Sequence, residues 1–207
     1  MEHLTLPKLS SLQFYALQAT LALTFFFCIT NPSSAARLEP QSKGSDTDFV
    51  KTSCKVTMYP DICYQSLSAY ASTIQTSPRE LANTALSVSL NSAQSTSTLV
   101  LKLSKEHGLS RGEEAAIADC VETMSDSVDE LHQSMAEMKD LKGPEFQMKM
   151  SNIQTWVSAA LTNEDTCMDG IEAKAVNGKM KDNIRSSIAR VAHLTSNALA
   201  FINKLSY

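Results

Sequence analysis

Glu122, Asp126 and Asp129 follow one another at spacings of four and three residues, so a helix over this segment carries all three carboxylates on one face. What such a group can do depends on the residues around it. Metal centres in helical bundles use Glu-x-x-His motifs facing inward from two helices. The nearest match here is a single Asp129-x-x-His132, with the wrong acid. Beyond residue 36 the histidines are His107, His132 and His193, one near a helix end and two on separate segments, and they do not converge on the acids. There is no G-x-S-x-G elbow and no phosphate-cradling glycine loop, since the six glycines are scattered. No catalytic residue, metal site or cofactor is expected. Three acids on a helix are ordinarily a solvated surface. Two features point instead to recognition of a basic partner. None of the three is followed at i+4 by Lys or Arg, the pairing that a stability-driven surface favours. A second group at helical spacing, Thr162, Asp165, Thr166 and Asp169, surrounds Cys167.

The elements that must hold these residues are helices. From Glu113 to Leu141, Ile117, Val121, Met124, Val128, Leu131, Met135 and Met138 alternate steps of four and three, the stripe of a helix buried along one side. Cys120 falls at the edge of that stripe, half-buried by pattern, and Ser110 with Glu113 three residues later forms a capping-box signature. An earlier helix opens at Ser77-Pro78 and runs to His107-Gly108, marked by Leu81, Ala85, Val88, Leu99 and Leu103. Its middle, NSAQSTST, is polar, but its small side chains suit a tightly packed seam. A third helix runs from Pro144 to about Ala175 with Phe146, Met150, Ile153, Val157, Ala160, Cys167 and Ile171 on one side. Trp156 on the same helix fits either core packing or a partner anchor. A fourth follows Asn177-Gly178 and carries Met180, Ile184, Ile188, Val191, Leu194, Ala198, Phe201 and Leu205. Ahead of these, Tyr59-Pro60 separates Phe49–Thr57 from Asp61–Ser72, the two arms of a small helical hairpin. No β-branched alternation competes. The expected fold is all-α: a hairpin over residues 46–76, then an up-down-up-down four-helix bundle over 77–207.

The chain has 207 residues and a formal charge of −4, with no basic run, which disfavours nucleic acid and anionic membranes as partners. Lys8 precedes the apolar run Leu21–Ile29, and Ser33, Ser34, Ala35 and Ala36 supply a small-residue cleavage site. Residues 1–36 are therefore expected to be a signal peptide cleaved after Ala36, the apolar run being short for a membrane span. Residues 37–45 are expected to be a flexible mature terminus. The mature chain is expected to be secreted, with no membrane attachment. It keeps Cys54, Cys63, Cys120 and Cys167, an even count that allows three disulfide pairings. Cys54 and Cys63 sit on the two arms of the hairpin, which favours their pairing. Cys120 lies early in the second bundle helix and Cys167 late in the third, positions that antiparallel neighbours bring to the same end. Loop closure makes the shorter bridge worth ~2.7 kcal/mol and the longer ~4 kcal/mol.

Three stretches carry a family resemblance. They are Cys54-x8-Cys63 with Tyr59-Pro60, the segment from Asp119-Cys120 through Asp129-Glu130-Leu131, and the run Gln154-Thr155-Trp156-Val157-Ser158-Ala159-Ala160-Leu161-Thr162 continued as Asp165-Thr166-Cys167-Met168-Asp169-Gly170. With these the mature chain resembles the plant pectin methylesterase inhibitors, of the family that also holds the invertase inhibitors. The resemblance implies a helical hairpin on a disulfide-bridged four-helix bundle and a protein that is not an enzyme. It also implies a one-to-one, non-covalent complex with pectin methylesterase in the cell wall or apoplast. That complex covers the esterase's pectin-binding catalytic cleft and so regulates pectin de-esterification. By motif position the contact residues are the acids after the first bundle cysteine, Glu122, Asp126 and Asp129, with Thr166 and Asp169 around the second. Since no esterase segment follows the bundle in this sequence, inhibition in trans is expected. Invertase inhibitors carry Pro-Lys-Phe at the start of the third bundle helix, where this sequence has Pro144-Glu145-Phe146. That charge reversal leaves acid invertase as the alternative target. A small apolar ligand inside the bundle is a reading of another class, but nothing in the seam demands a cavity.

Overall fold

The computed structural model describes residues 43–173 and 178–205. The expected signal peptide and its cleavage point lie outside these residues, as do positions 37–42 and Asn177. Every regular element among the described residues is helical.

Helix α1 (Lys43–Cys54) begins earlier than the Phe49 expected, so 43–45 of the stretch taken as a flexible terminus are helical. It stops where the backbone N–H and the hydroxyl of Thr57 both donate to the carbonyl of Cys54, at 3.1 and 2.8 Å. Pro60 then occupies the first position of α2 (Pro60–Leu67), where its missing N–H has no intrahelical role. A 3-10 turn (Ser68–Tyr70) and the short α3 (Ala71–Ile74) complete the return arm. Cys54 and Cys63 are bridged, their Cα atoms 5.6 Å apart. Gln75, at φ +52°, reverses the chain into the bundle in a left-handed conformation that few residues other than Gly, Asn and Asp adopt.

Four long helices follow: α4 (Pro78–Leu103), α5 (Arg111–Lys139), α6 (Phe146–Ala173) and α7 (Gly178–Ile202). Ser77 caps α4 by accepting from the amide of Glu80 at 3.2 Å. The capping box of α5 is complete: Ser110 N–H donates to Glu113 Oε2 at 2.8 Å and Glu113 N–H donates to Ser110 Oγ at 3.3 Å. Gly143, at φ +72°, turns the chain into a 3-10 step (Gly143–Glu145) before α6. Each long helix packs on the next, α7 closes against α4, and α5 and α6 share the most extensive interface. This is the up-down-up-down bundle. Leu86, Ile117, Met124, Leu131, Ile153, Ile171, Ile184 and Ile188 are fully buried along its axis, each contributing ~1.5–3 kcal/mol relative to exposure.

The buried stripe of α5 differs from the one expected. Val121, Val128 and Met135 are only partly buried, whereas Ala116, Cys120, Ser127 and Ser134 are fully buried with Ile117, Met124, Leu131 and Met138. Cys120 is thus a core residue and not a half-buried edge. Close approach to α6 decides this: the Cα atoms of the bridged Cys120 and Cys167 are 4.4 Å apart, and small side chains fit there better than branched ones. The same logic operates in α4, where Ala93 and Thr96 from its Ser/Thr-rich middle are buried together with Ser89 just before it.

A side-chain amide ties the hairpin to the bundle. Asn197 of α7 accepts from the Tyr59 N–H at 3.2 Å and donates to the Tyr59 carbonyl at 3.0 Å, satisfying both backbone groups at the hairpin turn. The Tyr59 ring stacks on His193 with centroids 3.7 Å apart, and burial holds the His193 imidazole below its ordinary pKa. An apolar hollow of about 410 Å³ lies at this junction, lined by Phe49, Val56, Pro78, Leu81 and Phe201. It borders the hairpin and does not enter the four-helix seam.

Candidate protein-binding face

The exposed side of the α5–α6 pair is built by the disulfide and by hydrogen bonds that fix the register of the two helices. Moving away from the bridge, Ser127 donates to Glu164 at 2.8 Å, Asn163 donates to Glu130 at 3.0 Å and Asn152 donates to Glu137 at 3.1 Å. These pairs join residues progressively closer in sequence, as antiparallel helices require. The far end is fixed by Lys149, which donates to the carbonyl and to Oδ2 of Asp140 at 3.1 and 2.8 Å, and by Arg79 of α4, which donates to the carbonyl of Met138 at 3.1 Å. Both supply protons to carbonyls at the C-terminus of α5, where helical donors are missing.

Glu122, Asp126, Asp129, Thr166 and Asp169 are all exposed, opposite the buried stripes of their helices. Among the described residues, no hydrogen bond or ion pair joins any of the four acids to a basic side chain. The register does not gather the five into one compact patch. Asp126 and Asp129 run from the bridge toward the middle of the bundle, alongside Asn163 and Thr162. Asp169 lies past Cys167 in the opposite direction. The arrangement is a strip.

Beside Asp126 and Asp129 stands Glu130, which sequence reasoning left out of the group. Its carboxyl is held above its ordinary pKa, first by burial and then by the nearby charges of Asp126 and Asp129, while the bond from Asn163 opposes the shift. On α6 the exposed hydroxyls form a ladder. Thr155 donates to the carbonyl of Ser151 at 2.8 Å, Ser158 to Gln154 at 2.7 Å, Thr162 to Ser158 at 3.0 Å and Thr166 to Thr162 at 2.7 Å. Each hydroxyl has spent its proton on its own helix and turns only lone pairs outward. Carboxylates on α5 and proton-spent hydroxyls on α6 make a surface of acceptors, matched by a partner rich in N–H donors. Trp156 is half-buried beside this ladder. Among the described residues no group of three or more His, Cys, Asp or Glu side chains has the arrangement of a metal site.

Glu164 was also missed. Its neighbours Asn163 and Asp165 make it read as surface, yet it is fully buried. The signal was the stripe itself: Ile153, Val157, Ala160, Cys167 and Ile171 step by four, three, seven and four, and position 164 divides the seven.

Solved structures similar to this chain agree with this architecture. A crystal structure of a mutant form of a pectin methylesterase inhibitor from Arabidopsis matches with a TM-score of 0.62, covering 78% of this chain and 98% of that one at 20% identity. A second pectin methylesterase inhibitor structure, from Arabidopsis thaliana, matches with a TM-score of 0.53 at 21% identity, over 78% and 99% of the two chains. These likenesses show the fold, a helical bundle. Residues 48–201 match the plant invertase/pectin methylesterase inhibitor family, and the chain belongs to that family. Among its relatives, a 21 kDa protein of Daucus carota is 49% identical over 172 residues, covering 82% of this chain and 89% of the relative. Pectinesterase inhibitor 11 of Arabidopsis thaliana is 45% identical over 179 residues, covering 84% and 88%. Pectinesterase inhibitor 10 of the same plant is 49% identical over 165 residues, covering 78% of this chain and 52% of the relative. The relatives named as pectinesterase inhibitors are not enzymes themselves, and neither is this chain.

Proposed function

We propose that this chain inhibits pectin methylesterase in the cell wall, forming a one-to-one, non-covalent complex that occludes the esterase's pectin-binding cleft. The contact surface is the outward strip of α5 and α6: Glu122, Asp126 and Asp129, with Thr166 and Asp169. One observation carries the reading. Four exposed acids without basic partners among the described residues stand beside a ladder of proton-spent hydroxyls, on two helices locked by a disulfide. A face of this kind gains nothing for the free fold from its charges. It is preorganised to accept hydrogen bonds from a partner, and preorganisation lowers the entropic cost of binding. Secretion follows from the signal-like segment ahead of the bundle, and the disulfides suit an oxidising compartment. Among the described residues no helix is long and apolar enough to cross a membrane.

Acid invertase is the less favoured target. Where invertase inhibitors carry a lysine, this chain has Glu145, whose carboxylate pairs with Lys149 at 3.5 Å. Titration of the purified, oxidised chain against a plant pectin methylesterase and an acid invertase in parallel tests both readings. Stoichiometric loss of esterase activity alone is expected. Loss of invertase activity alone would reverse the assignment, and loss of neither would sink both.

A further inference from the structure

At the centre of the bundle each long helix contributes one polar side chain to a single hydrogen-bonded group: Ser89 from α4, Ser127 from α5, Glu164 from α6 and Thr195 from α7. All four are fully buried. Ser127 Oγ donates to Glu164 Oε1 at 2.8 Å, Thr195 Oγ1 donates to the same oxygen at 2.9 Å, and the hydroxyls of Ser89 and Thr195 are 2.7 Å apart. With the Thr195 proton on the carboxyl, Ser89 donates to Thr195, and the relay crosses the whole bundle. Glu164 Oε2 is buried and has no hydrogen-bond partner among the described residues.

Among the described residues, no positive charge faces this carboxyl from any of the packed helices. On α5 the nearest ionisable side chain is Glu130, and on α6 it is Asp165, both acidic. Helix α4 carries no ionisable residue from Leu81 through Leu101. On α7, Arg190 is exposed and His193 is stacked on Tyr59. A negative charge at Glu164 is therefore met by two hydroxyl donors and no cation, whereas the neutral carboxyl sits in the core at far lower cost.

We propose that the Ser89, Ser127, Glu164 and Thr195 group is a pH-sensitive latch, closing the four helices around a neutral carboxyl and loosening them when that carboxyl ionises. Burial pushes the Glu164 pKa up to about 8, the bonds from Ser127 and Thr195 oppose the shift, and Asp165 and Glu130 add to it. In the unfolded chain the group returns to its ordinary 4.5. Between these values the folded chain holds the extra proton, so the stabilisation is complete below about 4.5, declines as pH rises and is gone once pH passes about 8. The latch favours the folded inhibitor under acidic conditions. Glu164 shares a helical turn with Asp165 and Thr166, so loosening there reaches the outward strip. The proposal concerns the free chain, and its test does not depend on which partner binds.

The test is thermal unfolding of the oxidised full chain from pH 4.5 to 8.5, for wild type, Glu164→Gln and Ser127→Ala. Wild type is expected to lose about 5–10 °C of melting temperature between pH 5 and pH 8. Glu164→Gln cannot ionise and should remove at least half of that fall, whatever its absolute stability. Ser127→Ala deletes a donor that favours the charged form and should move the midpoint of the fall to higher pH. An unchanged slope in Glu164→Gln would overturn the latch. A carboxyl carbon NMR titration of wild type provides a readout that needs no variant: a Glu164 signal titrating above about pH 6.5 is expected, and one titrating at the ordinary glutamate value would also overturn it.

Discussion

The acids on the outward strip and the acid inside the bundle are the same chemical group in opposite settings. Asp126 and Asp129 are exposed and have no basic partner among the described residues, so removing them costs the fold little, within ~0.5 kcal/mol for a surface change. Their value lies in what they meet. The Asp126→Ala, Asp129→Ala double variant should weaken esterase inhibition at least about tenfold, or about 1.4 kcal/mol of binding, with its melting curve unchanged. Unaltered inhibition would return both residues to ordinary solvated surface. Thr166→Val is a finer probe at this scale. It keeps the shape and removes an outward lone pair, while the lost bond to the Thr162 carbonyl matters little to the helix. Weaker inhibition by that variant, with intact helicity, is the expected outcome.

Helices α5 and α6 work as a pair because something other than apolar burial sets their spacing. The Cys120–Cys167 bridge closes a sequence separation of 47 residues, and a loop of that size is worth ~4 kcal/mol. The Cys120→Ser, Cys167→Ser double variant should lose stability of that order in denaturant unfolding, whereas reduction of Cys54–Cys63, with a separation of 9, should cost less. The hairpin has its own fastening. Asn197→Ala leaves the N–H of Tyr59 without its acceptor, while the Tyr59 carbonyl keeps its bond from the Cys63 N–H at 3.0 Å. A donor orphaned in this way costs ~1–3 kcal/mol when buried. Amide exchange should quicken in α1 and α2 of this variant while the centres of α5 and α6 stay protected, and uniform quickening would show that hairpin and bundle unfold as one unit.

For the whole molecule, a formal charge of −4 is modest, and its effect on binding comes from where the acids stand. A donor-rich, basic partner approaching this strip is steered by charges that salt screens. Association with the esterase should slow several-fold between about 0.05 and 0.5 M salt, with dissociation changing less. An association rate indifferent to salt would mean that the acids recognise shape and hydrogen bonds without steering.

Four helices, their caps at Ser77 and Ser110, the turn near Gly143, the start of α7 at Gly178, and both cysteine pairings were legible in the chain, because periodicity, capping and proximity act over a few residues or one helix length. The outward position of Glu122, Asp126, Asp129, Thr166 and Asp169 was legible for the same reason, since a helix fixes which side each residue takes. Which side of α5 faces inward in detail was not. Val121, Val128 and Met135 are the better hydrophobes, but the distance of closest approach between two helices belongs to the pair, and the bridge draws Ser127 and Ser134 inward in their place. Glu164 was hidden by the same circumstance: a carboxyl among polar neighbours reads as surface until three other helices bring Ser89, Ser127 and Thr195 to it. The register that spreads the five acceptors into a strip likewise exists only once α5 and α6 are antiparallel and bonded. Local physics wrote the helices and their exposed faces; distance and dielectric, set by tertiary packing, decided what lies between them.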